Sequence, residues 1–419
     1  MKILWLTKRP GLLKKNVNRY NGGGWVDSLQ ELFMKVPDVK LALTYLTSKN
    51  ELDIEEDGVL YYPIYKPSKN TIQKWLNYYN PSRNVQPDYL DRIQQIIYSF
   101  KPDIIHLFGM ENVLSQIIGK TEVPVVVHIQ GVVGPIANSF WPSQINRRTL
   151  MWPLSKSETI IKNGFGYLYD SMCKKAIIEE KQYKLLKYAM GRTVWDKEMS
   201  SLFSEKLVYF HVDELLRPIF YENAGRWVIP SKHKCRIIST ISDTLYKGFD
   251  VIMKSAMLLK KHASFDFEWV VAGLNDKAKV VKLFERELGV KCKDLNIRYL
   301  GVLDAQSLVA ELMNSSVYIH PSYTDNSPNS LCEAQMLGLP VIASYVGGIP
   351  SLIEDNQDGM LVAVNDPYAV AAKIILLQSD LEFTSIIGKN ASKAALLRHD
   401  KNKILMDIMN CYSEILKNK

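Results

Sequence analysis

Two carboxylates and the polar segment between them form the densest chemical signal in the sequence. Asp325 and Glu333 stand eight positions apart. The polar residues between them are Asn326, Ser327, Asn329 and Ser330. Such residues are typical of a helix start, where Asn329 or Ser330 could cap the first turn and the N–H groups and dipole favour an anion. One carboxylate before the helix and one in its first turns could then bind hydroxyls on either side of a diphosphate. The pattern predicts a phosphorylated, polyhydroxyl ligand; the alternative is a capped helix whose carboxylates face solvent.

Short apolar runs alternate with segments of helical period along the whole chain. The first half has predicted strands at 2–7, 39–47, 59–65, 103–109, 123–131, 189–193 and 206–212. The second half has predicted strands at 235–240, 267–273, 297–301, 317–322, 340–344 and 359–364. Strands that alternate with helices indicate parallel sheets covered on both faces, with ligands beyond the carboxyl ends of the strands.

The strand and helix pattern restarts near residues 222–234, which predicts an α/β protein of two Rossmann-like domains facing each other across a cleft. We assign residues 1–225 to an N-terminal domain and residues 226–395 to a C-terminal domain that binds the phosphorylated ligand. Residues 396–419 have helical spacing, and this helix could pack back on the N-terminal domain.

Composition excludes several classes of protein. The chain has 419 residues, 47% of them hydrophobic and 23% charged, which fits a folded protein of two or three domains and not a disordered chain, coiled coil or collagen-like repeat. Its five cysteines are widely spaced, so neither a disulfide framework nor a zinc site is indicated. The opening run KILWLT reads as a strand too short for a signal peptide, and no apolar run approaches the ~20 residues that span a bilayer.

The charge is uneven along the chain. The net charge is +8, and residues 1–225, with 29 basic and 23 acidic residues, account for +6 of it. A basic half suggests contact with an anionic partner, such as a membrane surface or a phosphorylated substrate, although a solvated lysine-rich surface explains it equally well. We expect a cytoplasmic protein, at most peripheral at the inner face of the cell membrane, and no binding of nucleic acid.

The C-terminal motif resembles that of retaining, nucleotide-sugar-dependent glycosyltransferases of the GT-B fold, in the large, family 4-like bacterial group that builds capsule, exopolysaccharide and lipopolysaccharide. The family pattern is an acidic residue, seven intervening residues and Glu, followed by a Gly-x-Pro-Val-Ile strand and a Gly-Gly-x-Pro turn. The matching positions are Asp325, Glu333, Gly338-Leu339-Pro340-Val341-Ile342 and Gly347-Gly348-Ile349-Pro350.

The resemblance implies roles for residues of the second half. Glu333 would hold the nucleotide ribose, Asp325, where most members have Glu, would contact the transferred sugar, and Lys247 would neutralise the donor diphosphate. The other donor-binding residues implied there are Gly301, through its main chain, and Asn326, Ser327, Asn329, Ser330 and Leu331. We expect Lys247, Asp325 and Glu333 to form the catalytic set, although Lys247 could instead be an exposed first-turn lysine.

The usual family Arg five residues before that Lys is replaced by Ser242, which removes one of two expected phosphate cations. Arg192 lies in a G-R-T-x-W-D segment typical of a capsule-related subgroup. It could supply the missing cation, bind the acceptor, or form a structural pair with Asp196.

Other candidates lie in the first half. Gly23 and Gly24 belong to a glycine-rich loop that could approach the donor phosphate or the acceptor hydroxyl. His128, Gln130 and Glu214 are candidates for the acceptor side, with Gln130 acting only by hydrogen bonding. For His128 a satisfied core histidine is the favoured alternative.

The expected function is transfer of a hexose or its derivative from a nucleotide diphosphate sugar, UDP more than GDP, to a glycan or lipid-linked acceptor, with retention of configuration. No metal ligand cluster is recognisable, so no metal or other cofactor is expected. Two alternatives remain: a catalytically idle sugar-nucleotide-binding subunit, and another enzyme on this fold, such as a phosphorylase or an epimerase.

Overall fold

A computed structural model describes residues 1–13, 24–66, 89–142, 164–230 and 234–418. These residues divide into two compact units. Of the described residues, the first unit contains 1–13, 24–66, 89–134, 164–215 and 401–418, and the second contains 135–142, 216–230 and 234–400.

The first unit is built on an eight-stranded sheet in the order β3-β4-β2-β1-β5-β6-β7-β8. Its strands are β1 (Lys2–Leu6), β2 (Lys40–Thr47), β3 (Ile54–Glu56), β4 (Val59–Tyr65), β5 (Ile104–Phe108), β6 (Val125–His128), β7 (Tyr188–Gly191) and β8 (Val208–His211). All neighbouring strands are parallel except β3 and β4, which form an antiparallel pair.

The second unit is built on a six-stranded parallel sheet in the order β11-β10-β9-β12-β13-β14. Its strands are β9 (Cys235–Thr240), β10 (Phe267–Ala272), β11 (Ile297–Gly301), β12 (Val317–His320), β13 (Val341–Ser344) and β14 (Met360–Val362). In order of appearance this is the 3-2-1-4-5-6 arrangement of the Rossmann fold, and its strand order reverses between β9 and β12.

Helices connect the strands of both sheets. They are α1 (Gly24–Phe33), α2 (Tyr89–Phe100), α3 (Val133–Asn138), α4 (Phe165–Tyr183), α5 (Val194–Phe203), α6 (Pro218–Glu222), α7 (Phe249–His262), α8 (Lys279–Leu288), α9 (Ala305–Met313), α10 (Asn329–Leu337), α11 (Pro367–Ser379), α12 (Leu381–Arg398) and α13 (Lys401–Lys417). Short 3₁₀ turns occupy Val113–Ile117, Leu245–Lys247, Cys292–Leu295 and Ile349–Ser351.

The central strands of both sheets are buried because they are apolar on both faces, as parallel strands covered by helices must be. Every residue of β5 and of β12 is buried. The C-terminal helix α13 belongs to the first unit, where it buries Ile404, Ile408 and Tyr412. The Tyr412 hydroxyl lies 2.5 Å from Nδ1 of His106 on β5.

The boundary between the units falls between Leu215 and Leu216, before the predicted boundary at residues 225 and 226. The short helix α6 accounts for the difference. Its Phe220, together with Leu216 and Trp227, packs in the hydrophobic core of the second unit.

Candidate active site

The residues of the acidic motif gather where the strand order of the second sheet reverses. β9 is followed by the turn that carries Lys247, and β12 ends at His320, five residues before Asp325. Nζ of Lys247 donates to Oδ2 of Asp325 at 2.6 Å. Nε2 of His320 lies 2.9 Å from the same oxygen. In open parallel sheets the carboxyl ends beside such a reversal are where ligands bind, so this cluster is the candidate active site.

Two glycines allow the backbone to approach this cluster closely. Gly248 has φ of +76°, and a Cβ there would lie 2.0 Å from the carbonyl oxygen of Pro321. Gly347 has φ of +53°, and a Cβ there would lie 1.9 Å from the carbonyl oxygen of Asp325. Gly348 donates its N–H to that carbonyl at 3.0 Å. The Gly-Gly-x-Pro turn therefore holds the loop that carries Asp325. A side chain at Gly248 or Gly347 would push this loop away.

The charges in the cluster stabilise one another. Burial on its own would raise the pKa of Asp325, but Lys247 and His320 outweigh it and hold the pKa below its ordinary range. Burial opposes the ammonium of Lys247, yet Asp325 keeps its pKa raised. Burial lowers the pKa of His320, so its ring is neutral near pH 7. The neutral ring must carry its hydrogen on Nε2, because the carboxylate of Asp325 can only accept.

The second motif carboxylate is buried in α10 and has a partner that the sequence did not suggest. Nε and Nη2 of Arg217 donate to the two oxygens of Glu333, each at 2.7 Å. The guanidinium also lies 4.8 Å from the ring centre of Phe220. Burial raises the pKa of Glu333, and Arg217 acts in the opposite direction. Glu333 thus lies near a cation in the second unit, where sequence reasoning expected only a ligand.

The start of α10 differs from the prediction. Pro328 stands at the N-cap position and supplies no side-chain bond. The helix begins at Asn329, one residue earlier than a cap at Asn329 requires and two residues earlier than a cap at Ser330 requires. The Ser330 hydroxyl instead accepts from Tyr318 at 2.8 Å. Leu331 is fully buried and its N–H donates to the Pro328 carbonyl, so its role here is packing.

Other predicted donor contacts have partners of their own. The main-chain N–H of Asn326 donates to Oδ1 of Asp325 at 3.1 Å, and Ser327 is partly exposed beside it. Gly301, with φ of +68°, donates its N–H to Leu274 and accepts from Gly273. These bonds tie the end of β11 to the loop after β10.

In the first unit, three predicted residues, Gln130, Arg192 and Glu214, lie together beyond the ends of β6, β7 and β8. Arg192 forms an ion pair with Glu214, and both side chains are at most 4% exposed. Its Nη2 donates to the carbonyls of Ile129 and Gln130, each at 3.2 Å. Burial raises the pKa of Glu214 to about 7, although Arg192 opposes that shift.

This burial corrects the expectation that Arg192 supplies a phosphate cation, since its guanidinium is committed to Glu214 and to two carbonyls. The alternative pair with Asp196 forms through the main chain. The Arg192 N–H donates to Oδ2 of Asp196 at 2.9 Å, within a capping box that begins α5 at Thr193.

His128 lies in the core, as the favoured alternative expected, but among the described residues its ring is not satisfied by hydrogen bonds as that alternative required. It is fully buried, with ring centres of Trp25 and His106 at 5.1 Å and 5.4 Å. Burial lowers its pKa well below the ordinary value, and His106 and Arg192 lower it further. Within the described part of the chain, neither ring nitrogen has a hydrogen-bond partner.

The glycine-rich loop is described only at its end. Gly24 is the first residue of α1, and its carbonyl accepts from the Ser28 hydroxyl at 3.0 Å. Gly23 lies outside the described residues.

Two kinds of feature are absent from the described residues. No helix among them is long and apolar enough to cross a bilayer. No three His, Cys, Asp or Glu side chains in the described ranges are grouped to hold a metal ion.

Comparisons with known proteins agree with this topology. The structure of sucrose-phosphate synthase from Thermosynechococcus elongatus aligns with this chain over 100% of both chains, with a TM-score of 0.70 at 13% sequence identity. Anabaena HepE in complex with UDP and glucose covers 99% of this chain and 100% of its own, with a TM-score of 0.65 at 14% identity. The fold is therefore GT-B, with two Rossmann-like units.

The sequence comparisons find similarity to glycosyltransferases, mostly in the second half of the chain. Residues 234–380 match the model described as Glycosyl transferases group 1. The N,N'-diacetylbacillosaminyl-diphospho-undecaprenol alpha-1,3-N-acetylgalactosaminyltransferase of Campylobacter jejuni is 28% identical over 206 residues, which cover 48% of this chain and 51% of that protein. The chain spans about half the length of the curated relatives it matches. Residues 234–380 are thus similar to glycosyl transferases of group 1, and the whole chain shares the fold of the solved glycosyltransferase structures.

Proposed function

We propose that this protein is a retaining glycosyltransferase that moves a hexose or hexose derivative from a nucleotide diphosphate sugar to a glycan or lipid-linked acceptor in surface polysaccharide synthesis. The observation that carries the proposal is the Lys247–Asp325 pair at the strand-order reversal of the second sheet. Its residues lie inside the segment that matches the family model.

Lys247 is proposed to stabilise the departing diphosphate. An ammonium has three N–H donors, and the pair with Asp325 uses one of them. The remaining donors could bind phosphate oxygens, whose negative charge grows as the sugar–phosphate bond breaks. This charge stabilisation needs no divalent metal, so we propose that the reaction is metal-independent.

Asp325 is proposed to contact the transferred sugar. His320 and Lys247 keep the Asp325 carboxylate ionised and share one of its oxygens. The other oxygen accepts the Asn326 N–H and has acceptor capacity left for a sugar hydroxyl. In the proposed retaining step, the leaving phosphate oxygen takes the proton of the incoming acceptor hydroxyl on the same face. A carboxylate base is then unnecessary.

Glu333 is proposed to accept the two ribose hydroxyls of the nucleotide. UDP is the proposed carrier, because HepE, which shares the fold, is described in complex with UDP and glucose.

A lipid-linked acceptor is supported by the name of the Campylobacter relative, which includes a diphospho-undecaprenol acceptor.

The exposed face of α4 supports peripheral contact with anionic lipid. Lys174, Lys175 and Lys181 are exposed on it. Ile177 and Ile178 are 59% and 51% exposed beside them. Lysines interspersed with exposed aliphatic side chains suit the charged headgroups and upper acyl region of a membrane surface.

The proposal is tested by incubating the protein with a panel of UDP- and GDP-sugars and measuring release of the nucleotide, with and without lipid-linked acceptors. We expect the parent protein to turn over a sugar nucleotide and Asp325→Asn to lose this activity. Binding of a nucleotide without turnover of any donor would favour the idle binding subunit. Release of sugar phosphate from a glycan and inorganic phosphate would favour a phosphorylase.

A further inference from the structure

The ion pair with Arg217 uses half of the hydrogen-bond acceptor sites of Glu333. An ionised carboxylate has about four acceptor sites, two on each oxygen. Arg217 uses one site on each oxygen, through two bonds of equal length. One site therefore remains on each oxygen, and two hydroxyls on adjacent carbons of a ribose need one acceptor each.

Arg217 is itself held in place by its surroundings. It is the N-cap residue of α6, and Pro218 fixes the first helical position after it. Its guanidinium lies over the ring of Phe220, which is fully buried in the core of the second unit. The fork of the guanidinium is therefore presented to Glu333 in a set orientation.

We propose that Arg217 is a positioning residue for nucleotide binding: it keeps the buried Glu333 carboxylate ionised and orients it so that one acceptor site on each oxygen remains for the ribose. This inference rests on the proposed role of Glu333. It assigns to Arg217 a role that neither the motif nor the comparisons indicate.

Several charged or titratable groups lie on the elements packed against α10. They are Arg217 and Tyr221 from α6, Glu311 from α9, Tyr318 and His320 from β12, and Arg398 and His399 at the end of α12. Arg398 bonds Gln335 and the Leu352 carbonyl, and Glu311 pairs with Arg236. The pKa of Tyr318 is raised chiefly by burial, with a contribution from Glu333. Of these cations, Arg217 is the one that contacts Glu333.

The proposal predicts a change in pH dependence. Burial already raises the pKa of Glu333 against the opposing effect of Arg217. Without the guanidinium the carboxyl group takes up its proton at a higher pH and loses an acceptor site. Nucleotide affinity should then fall as the pH is lowered through that new pKa and recover above it.

The experiment compares UDP affinity by calorimetry from pH 5.5 to 8.5 in the parent, Arg217→Met and Arg217→Lys. Taking the ratio of variant to parent dissociation constants at each pH cancels the titration of UDP itself. For Arg217→Met we expect a ratio of about 10 to 100 at low pH, the scale of one charge-assisted hydrogen bond, which shrinks several-fold toward pH 8.5. Arg217→Lys keeps the charge but not the fork, so its ratio should exceed one and stay nearly constant with pH.

Arg236→Met is the matched control, because Arg236 pairs with Glu268 and Glu311 elsewhere in the same unit. Its ratio should stay near one at every pH. A ratio for Arg217→Met that does not change with pH would overturn the proposal, since a merely structural loss weakens binding uniformly.

Carbon-13 NMR of labelled glutamate carboxyls, with the Glu333 signal assigned by its absence in Glu333→Gln, separates this inference from the proposed function. A raised Glu333 pKa in Arg217→Met is expected, and an unchanged one overturns the role of Arg217. If the pKa rises but Glu333→Gln binds UDP as the parent does, the ribose assignment fails and the hold of Arg217 on Glu333 stands.

Discussion

Replacing Lys247 by Ala tests whether its charge serves catalysis or only the fold. The chain offers a close control in Lys254, whose Nζ pairs with Asp250 at 3.0 Å. The side chains of Lys247 and Lys254 are 19% and 18% exposed, and the Lys247–Asp325 distance is 2.6 Å. At an effective dielectric constant of about 20, these distances give gross attractions of about 6 and 5.5 kcal/mol.

The two substitutions should therefore destabilise the fold to a similar extent. Most of the gross attraction is offset by desolvation, and both lysines are partly exposed, so we expect a loss of about 1–3 kcal/mol in the free energy of unfolding for each. Urea denaturation followed by circular dichroism measures this quantity.

The effects on catalysis should differ. Lys247→Ala should lower donor turnover by about a hundredfold or more, the scale seen when one electrostatic stabiliser is lost. Its UDP affinity should fall less, because charge on the phosphate grows in the transition state. Donor turnover by Lys254→Ala should stay within about threefold of the parent, because a hundredfold loss is expected only for a charge that acts on the reacting phosphate.

Steady-state turnover with the donor identified by screening, and UDP affinity by calorimetry, provide the comparison. Equal losses of turnover in both variants would refute the reasoning. If affinity and turnover of Lys247→Ala fell by the same factor, Lys247 would be a uniform binding contact and not a transition-state stabiliser.

Three further predictions follow from the same structure. Glu333→Gln should weaken UDP binding by about 1.5–3 kcal/mol, the cost of a charge-assisted hydrogen bond, and unchanged calorimetric affinity would contradict it. Burial raises the pKa of Glu179 to about 8, above its unfolded value, so the folded state loses stability as the pH rises from about 4.5 to 8. Glu179→Gln keeps the acceptor for the Val133 N–H. Urea denaturation at pH 5 and pH 8.5 should show a smaller loss in the free energy of unfolding with rising pH in this variant than in the parent. Equal losses in the two proteins would contradict the raised pKa of Glu179. The protein should sediment with anionic vesicles at low salt and be released as salt screens the lysines; Lys174→Ala with Lys175→Ala should weaken this more than the control pair Lys260→Ala with Lys261→Ala, and equal sedimentation with neutral vesicles would refute it.

Local patterns predicted much of the fold. The strands β4, β9 and β11 begin and end where the apolar runs do, because a buried parallel strand is marked by its own sequence. The short strand β3 was missed because two of its three residues, Glu55 and Glu56, are charged and it contains no apolar run. The Asp57-Gly58 dipeptide beyond it, with both φ angles positive, is a hairpin signal that could have revealed it.

The sequence predicted only those residues of the candidate site that lie close together in the chain. Asp325, Glu333 and the glycine turn follow from one stretch of sequence, and His320 could have been found as the last residue of the strand before Asp325. Arg217 and Glu333 are 116 positions apart, so their pairing depends on the packing of α6 against α10.

The burial of Arg192 with Glu214 also depends on tertiary structure. The sequence showed a cation near a strand end, but the side chain is only 4% exposed because neighbouring strands bring an acid and two carbonyls to it. No local pattern records that arrangement.

The most direct test of the proposed glycosyl transfer is proton NMR of the anomeric signals while the protein consumes its preferred UDP-α-sugar. We expect the donor signal to fall and the first sugar product to carry the α configuration. Asp325→Asn should show neither change at a comparable rate. A first product of β configuration would contradict the retaining mechanism, and no consumption of any nucleotide sugar, with acceptors present, would contradict glycosyl transfer itself.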